Sequence, residues 1–170
     1  MSEPITTAER LVAYLKQNHQ TVATAESLTG GLVSKKITDV AGASAVFECG
    51  VCSYSNRIKQ EVLGVREETL SVFSEYSHEC ACEMAQGVRL LSGASVGIAT
   101  TGIAGPGGGT PERPVGTVYV GISTEHDTKS YLLSLGSDRT RADIRELSAE
   151  QALALALAAL EREAPSYDKP

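Results

Sequence analysis

Two glycine-punctuated segments, each following a short apolar run, constrain this chain most: Ala25-Glu26-Ser27-Leu28-Thr29-Gly30-Gly31 and Thr100-Thr101-Gly102-Ile103-Ala104-Gly105-Pro106-Gly107-Gly108-Gly109. A strand that gives way to glycines at a turn or helix start is the pattern of an α/β protein. Such junctions present backbone N–H groups to an anion or an oxyanion. Between the two lies Tyr54-Ser55-Asn56-Arg57-Ile58-Lys59, a strongly polar segment directly after an apolar stretch. Together the three segments point to one site, with Ser27 and Lys59 as its reactive pair.

The 170 residues suit one domain spanning 1–170, and folding at this size buries roughly 70% of the surface that the unfolded chain exposes. No apolar run approaches the ~20 residues that cross a bilayer, so no membrane contact is expected. The start, Met1-Ser2-Glu3-Pro4, lacks the basic and apolar regions of a signal peptide, which makes a cytoplasmic location the expectation. A net charge of -6 argues against nucleic acid as a partner, since that affinity comes from many Lys and Arg. A few local cations are still enough to hold one small anion.

The cysteines, Cys49, Cys52, Cys80 and Cys82, invite a metal reading that local geometry opposes. Cys49 and Cys52 on one strand point to opposite faces, and Cys80 and Cys82 on one helix lie about 200° apart. His19, His78 and His126 share no helix-turn spacing. The expectation is buried thiols and no metal.

Along the chain, Thr6 and Glu9 have capping-box spacing ahead of a helix from Thr7 to Asn18. A buried strand is expected over Val22–Ala25, a helix from Thr29 to Asp39, and a strand over Ala45–Ser53. Short helices follow at Asn56–Leu63 and Glu67–Phe73, then a longer one from an N-cap at Ser77 to Gly93. Strands are expected at Ser95–Thr100, Thr117–Ser123 and Lys129–Leu135, the last two as a hairpin. Arg141 to Glu163 is the clearest helix, with Ile144, Leu147, Gln151, Leu155 and Leu160 on one side, and a frayed tail follows from Pro165. The order implies a three-layer α/β sandwich, a mixed sheet flanked by helices.

A serine attacks a carbonyl only when a base takes its proton, and a free lysine with pKa ~10.4 is mostly protonated near neutrality. Burial or neighbouring cations lower that pKa and leave a neutral amine able to act as base. Arg57, Arg139, Arg141 and Arg145 are the cations on offer. The amides from Leu28 to Gly31 are candidate oxyanion donors. A plainer reading has Ser27 or Thr29 capping a helix, with Gly30 and Gly31 allowing close packing. The second loop matches neither GxxxxGK[ST] nor GxGxxG; it is either a ligand loop or an inert surface turn. Tyr54 is a proton relay, a stacking ring or a strand-end tyrosine. Arg139 and Arg145 either clamp a phosphate, or are solvated or paired with Asp138, Asp143 and Glu146.

Taken together, the segments resemble the C-terminal domain of the CinA family, also known as the PncC family of nicotinamide-nucleotide amidohydrolases. The resemblance runs from about Ala8 to Leu160. It is carried by Thr24 to Gly31, Gly50 with Tyr54-Ser55-Asn56 and Lys59, Leu63-Gly64-Val65, and Met84-Ala85 with Gly87. It continues through Thr101 to Gly109, Pro114 to Val118, and Gly136 with Arg139, Ile144 and Arg145.

This resemblance implies deamidation of nicotinamide mononucleotide to nicotinic acid mononucleotide and ammonia, without metal or cofactor. It implies Ser27 as nucleophile, Lys59 as base and later proton donor, and Tyr54 as an assistant in the same hydrogen-bonded group. Thr29, Gly30 and Gly31 would form the oxyanion hole, and Thr101, Gly102, Gly105 and Arg139 would surround the nucleotide. It further implies a stand-alone amidohydrolase and a homo-oligomer, most simply a dimer.

Two departures from the family pattern stand out. Leu28 replaces a frequent cysteine, and Ser74-Glu75-Tyr76-Ser77 replaces a small Gly-Ala-Val-Ser segment, which bears on substrate access or an interface. The alternatives are a nucleotide-binding or protein-interaction domain of the competence/damage-inducible type that does no chemistry, and a broader amidase or esterase using the same serine.

Overall fold

The structure is a computed structural model and describes residues 4–164. The frayed tail expected from Pro165 lies outside the described residues, as does most of the segment Met1–Pro4.

The sheet has five strands in the order β2-β1-β3-β4-β5: β1 (Val22–Glu26), β2 (Phe47–Cys52), β3 (Val96–Gly102), β4 (Thr117–Ser123) and β5 (Thr128–Ser134). The first three run parallel; β4 is antiparallel to β3 and forms the expected hairpin with β5. Helices α1 (Thr7–Gln17), α2 (Leu32–Thr38) and α6 (Arg141–Glu163) cover one face, while α3 (Asn56–Leu63), α4 (Glu67–Val72) and α5 (His78–Ser92) lie on the other. The fold is therefore the mixed-sheet α/β sandwich that the sequence implied.

Strand alternation divides the core in two. Val22, Val96, Ile98, Val118, Val120 and Ile122 pack with Leu11, Leu15, Ile144 and Leu153 on the α1/α6 side. Ala23, Ala25 and Ala99 meet Met84, Ala85 and Val88 on the α5 side. The α5 side is lined with small residues because α5 rests almost directly on the strands. A Cβ at Gly97 or Gly121 would stand 2.1 Å from the carbonyl oxygen of Ala85 or Ala81.

Capping fixes the helix starts. The Thr6–Glu9 capping box forms, Ser55 caps α3, Ser77 caps α5, and Thr140 with Asp143 caps α6. Several element ends shift by one or two residues, β3 running on to Gly102, and two starts and one face differ for a clear physical reason. The α2 helix starts at Leu32 because Gly30 and Gly31 have φ of 58° and 100°, which no helix accommodates. The β2 strand starts at Phe47 because Ala43–Ala45 form a 3-10 turn. On α6, Gln151 is exposed, and the buried face runs through Ala149, Ala152, Leu153, Ala156 and Leu157 beside Ile144 and Leu160. Small alanines let this helix sit close to its neighbours, so the large side chains alone misplace its buried face.

Because β1, β2 and β3 are parallel, Ser27, Tyr54 and the second glycine loop emerge at one end of the sheet. The connections from neighbouring strands diverge there, which opens a crevice.

Candidate active site

Ser27 follows the last residue of β1, and its amide donates to Thr100 O at 2.9 Å. The loop then turns on its glycines, with Gly30 N–H donating to the Ser27 carbonyl at 3.0 Å and Leu32 N–H to Thr29 O at 3.1 Å. Glu26 holds this loop from beneath. Its carboxylate, with the residue only 1% exposed, accepts from Thr29 Oγ1 (2.7 Å), Val33 N (2.7 Å), Ser34 N (3.0 Å) and Ser34 Oγ (2.7 Å). The two amides belong to the first turn of α2 and have no acceptor within the helix, so a carboxylate there satisfies them and suits the helix dipole. From α6, Arg145 donates Nε to Leu28 O (3.0 Å) and Nη2 to Thr29 O (2.9 Å), clamping the same loop from the other side.

Lys59 lies one turn into α3, and its side chain points inward with the residue 1% exposed. Nζ sits 3.2 Å from Ser27 Oγ and 3.0 Å from the Ser53 carbonyl. Burial lowers the lysine pKa from its ordinary value, against opposing pulls from Cys80 and Glu75. The Cys80 thiol is itself pushed up to about 12 by burial, so near neutrality it carries no charge to hold a proton on the lysine. Lys59 Nζ donates to Ser53 O and to Ser27 Oγ, and loss of its proton, which burial favours, would leave a lone pair facing the Ser27 hydroxyl. That is the geometry of a general base on a nucleophile.

The pair opens into a cavity of about 160 Å³ walled by Tyr54, Glu75, Tyr76, Arg141 and the glycines Gly102, Gly105, Gly107 and Gly108. Larger hollows of about 350 and 610 Å³ lie at the other end of the sheet around Thr124, His126 and Glu163, and neither contains a serine set against a buried base. Chemistry, not volume, selects the smaller one.

The structure distributes the expected site residues unevenly. Ser27 and Lys59 meet, and Gly102 and Gly105 line the cavity. Tyr54 stands 62% exposed at the mouth and accepts from Arg141 Nη2 at 2.8 Å; it makes no hydrogen bond to Ser27 or Lys59. Thr101 is buried behind the wall, its hydroxyl donating to Glu75 O at 2.7 Å. Of the loop residues only Ser27 and Leu28 reach the cavity; Thr29, Gly30 and Gly31 lie behind them, and the Gly30 amide is committed to Ser27.

Arg139 stands outside the cavity and donates to Leu135 O at 2.7 Å, because it precedes the Thr140 cap; Arg141, inside the helix, reaches in and donates to Gly105 O at 2.7 Å. Sequence reading also missed the roles of Glu26 and Arg145. For Glu26 a signal existed: an acid closing a buried strand needs donors, and the helix start that follows supplies them.

Cys49 and Cys52 do face opposite sides of β2, and among the described residues no group of three or more His, Cys, Asp or Glu is placed to hold a metal ion. No helix among them is long and apolar enough to cross a membrane.

Residues 5–160 match the family model described as the CinA C-terminal domain. The chain belongs to this family. A CinA-like protein of Kosmotoga olearia is 50% identical over 133 residues, covering 78% of this chain and 32% of the relative. A CinA-like protein of Thermotoga maritima is 47% identical over 146 residues, covering 85% and 35%. The chain thus spans about a third of the length of the curated CinA relatives it matches. Among solved structures, the competence/damage inducible protein CihA from Agrobacterium tumefaciens superposes with a TM-score of 0.84 at 37% identity, covering 95% of this chain and 99% of that one. A CinA superfamily protein from Klebsiella pneumoniae gives 0.87 at 30% identity, covering 92% and 96%.

Proposed function

We propose that this CinA-family chain is a serine amidohydrolase that releases ammonia from the carboxamide of nicotinamide mononucleotide, leaving nicotinic acid mononucleotide. The observation that carries this reading is the buried Lys59 Nζ 3.2 Å from Ser27 Oγ, at the floor of a cavity.

Neutral Lys59 takes the Ser27 proton as Oγ bonds to the amide carbon. Negative charge develops on the former carbonyl oxygen, and the Leu28 N–H, which donates to no backbone carbonyl among the described residues, is a donor at the cavity wall beside Ser27. The Lys59 ammonium gives its proton to the departing nitrogen as the C–N bond breaks, and ammonia leaves an ester on Ser27. Water then attacks that ester while Lys59 takes its proton, and collapse returns the proton to Ser27 Oγ with release of the carboxylic acid.

A cavity of about 160 Å³ is below the ~300–1,000 Å³ of typical ligand pockets, so it encloses the amide-bearing ring and leaves the ribose phosphate at the rim, near Arg141 and the second glycine loop.

The test is ammonia release from nicotinamide mononucleotide by the wild-type protein beside Ser27→Ala, with chelator present. The expected result is turnover that falls by roughly 10³-fold or more in the variant while it stays folded. The second reading, a binding or interaction domain of the competence/damage-inducible type, draws on the relatives' names. Saturable binding of the nucleotide without turnover in the wild type would favour it.

A further inference from the structure

Glu75 has no task in the chemistry above. It lines the cavity half-buried, and among the described residues its carboxylate makes neither hydrogen bond nor ion pair. Partial burial penalises a charge left without a partner, which points to a partner that arrives with the ligand.

The segment carrying Glu75 is held in place. Its carbonyl accepts from Thr101 Oγ1 (2.7 Å), the next amide, of Tyr76, donates to Ser74 Oγ (3.0 Å), and Ser77 Oγ donates to Ser74 O (2.8 Å) while capping α5. Ser74 has φ of 75°, the left-handed conformation that the family's usual glycine adopts without strain. Tyr76 beside it and Tyr54 across the mouth are the two aromatic rings on the cavity wall. Burial, then Glu75 and Tyr54, raise the Tyr76 phenol above its ordinary pKa, so it stays a neutral ring within reach of both.

We propose that Glu75, Tyr76 and Tyr54 form a subsite for a planar aromatic cation, so that the pocket favours a carboxamide on a positively charged ring over the same carboxamide on a neutral one. A carboxylate attracts such a ring directly, and tyrosine faces attract it through their quadrupole. The inference rests on the amidohydrolase reading and sharpens it: the pyridinium of nicotinamide mononucleotide meets the requirement, and its reduced dihydropyridine form does not. Lys59, neutral when it acts as base, does not oppose the cation, and Arg141 is turned toward Gly105 and Tyr54.

The test is calorimetric binding of oxidised and reduced nicotinamide mononucleotide to Ser27→Ala protein, with Glu75 intact and with Glu75→Gln added. Glu75→Gln is expected to weaken binding of the oxidised form by about tenfold and to leave the reduced form within about twofold. Tyr76→Leu is expected to narrow the preference for the oxidised form as well. Equal weakening of both forms, or no weakening of either, overturns the subsite. Binding is read without turnover, so a wild-type protein that releases no ammonia would sink the amidohydrolase reading and leave the cation preference to be decided by these affinities.

Discussion

The two glycine loops look alike in sequence and are held very differently. The first, Ser27 to Gly31, is fixed from three directions: below by the Glu26 carboxylate, from α6 by Arg145, and within by its own turn. The second, Gly102 to Gly109, is anchored only in its first half, where buried Ile103 exchanges backbone hydrogen bonds with Thr117 and Gly116 and Arg141 holds Gly105 O, and it is exposed from Pro106 to Gly109. The difference matches the two tasks. A nucleophile must stay within hydrogen-bond reach of its base, whereas a wall that receives part of a ligand tolerates movement.

Removing the support under the first loop should break this contrast most severely. Glu26→Ala leaves Val33 N and Ser34 N without their acceptor and takes one partner each from the Thr29 and Ser34 hydroxyls, and is expected to lower stability by roughly 3 kcal/mol and kcat by about 100-fold. Chemical denaturation and ammonia release measure the two effects; a wild-type kcat in a folded variant would contradict the role.

A pair of glycine substitutions sharpens it. Gly31→Ala, at φ of 100°, should cost roughly 1–3 kcal/mol, whereas Gly107→Ala, whose Cβ meets nothing within 4 Å, should stay within about 0.5 kcal/mol. Equal melting temperatures for the two would remove the distinction between the loops.

The two arginines separate by kinetics. Arg145→Met is expected to lower kcat about tenfold with KM nearly unchanged, because it positions the nucleophile loop. Arg141→Met is expected to raise KM about tenfold with kcat nearly unchanged, because it faces the ligand. A reversed pattern would exchange their roles.

A smaller effect concerns pH and stability. The native lysine pKa is lowered, so between that value and the unfolded ~10.4 the unfolded chain binds more protons, and stability rises with pH. Lys59→Met lacks this rise. The stability of wild type relative to Lys59→Met should therefore increase as pH climbs through the window, and parallel curves would mean the lysine titrates normally.

Local signals carried most of the fold. The Thr6–Glu9 spacing marked the start of α1 to the residue, the last helix was read from Arg141 where α6 begins, and the Thr117–Ser123 strand was placed with its observed bounds. What failed depended on conformation or on small residues: positive φ at Gly30 and Gly31 delayed α2, and buried alanines turned α6. In the site, Ser27 and Lys59 were legible because each sits in a motif beside a strand end. The partners of the loop were not. Which arginine near the start of α6 reaches Leu28, Gly105 or Leu135 is decided by helix phase and by packing between segments far apart in the chain, and residue type alone is silent on both.

The most direct test of the central claim is the pH dependence of kcat/KM for ammonia release from nicotinamide mononucleotide by wild type and Lys59→Met. Wild-type activity should rise with pH to a plateau through one ionisation below the ordinary lysine value, while Lys59→Met should be roughly 10³-fold or more slower and lack that rise. A Lys59→Met protein that keeps the wild-type rate and profile would show that the buried amine is not the base.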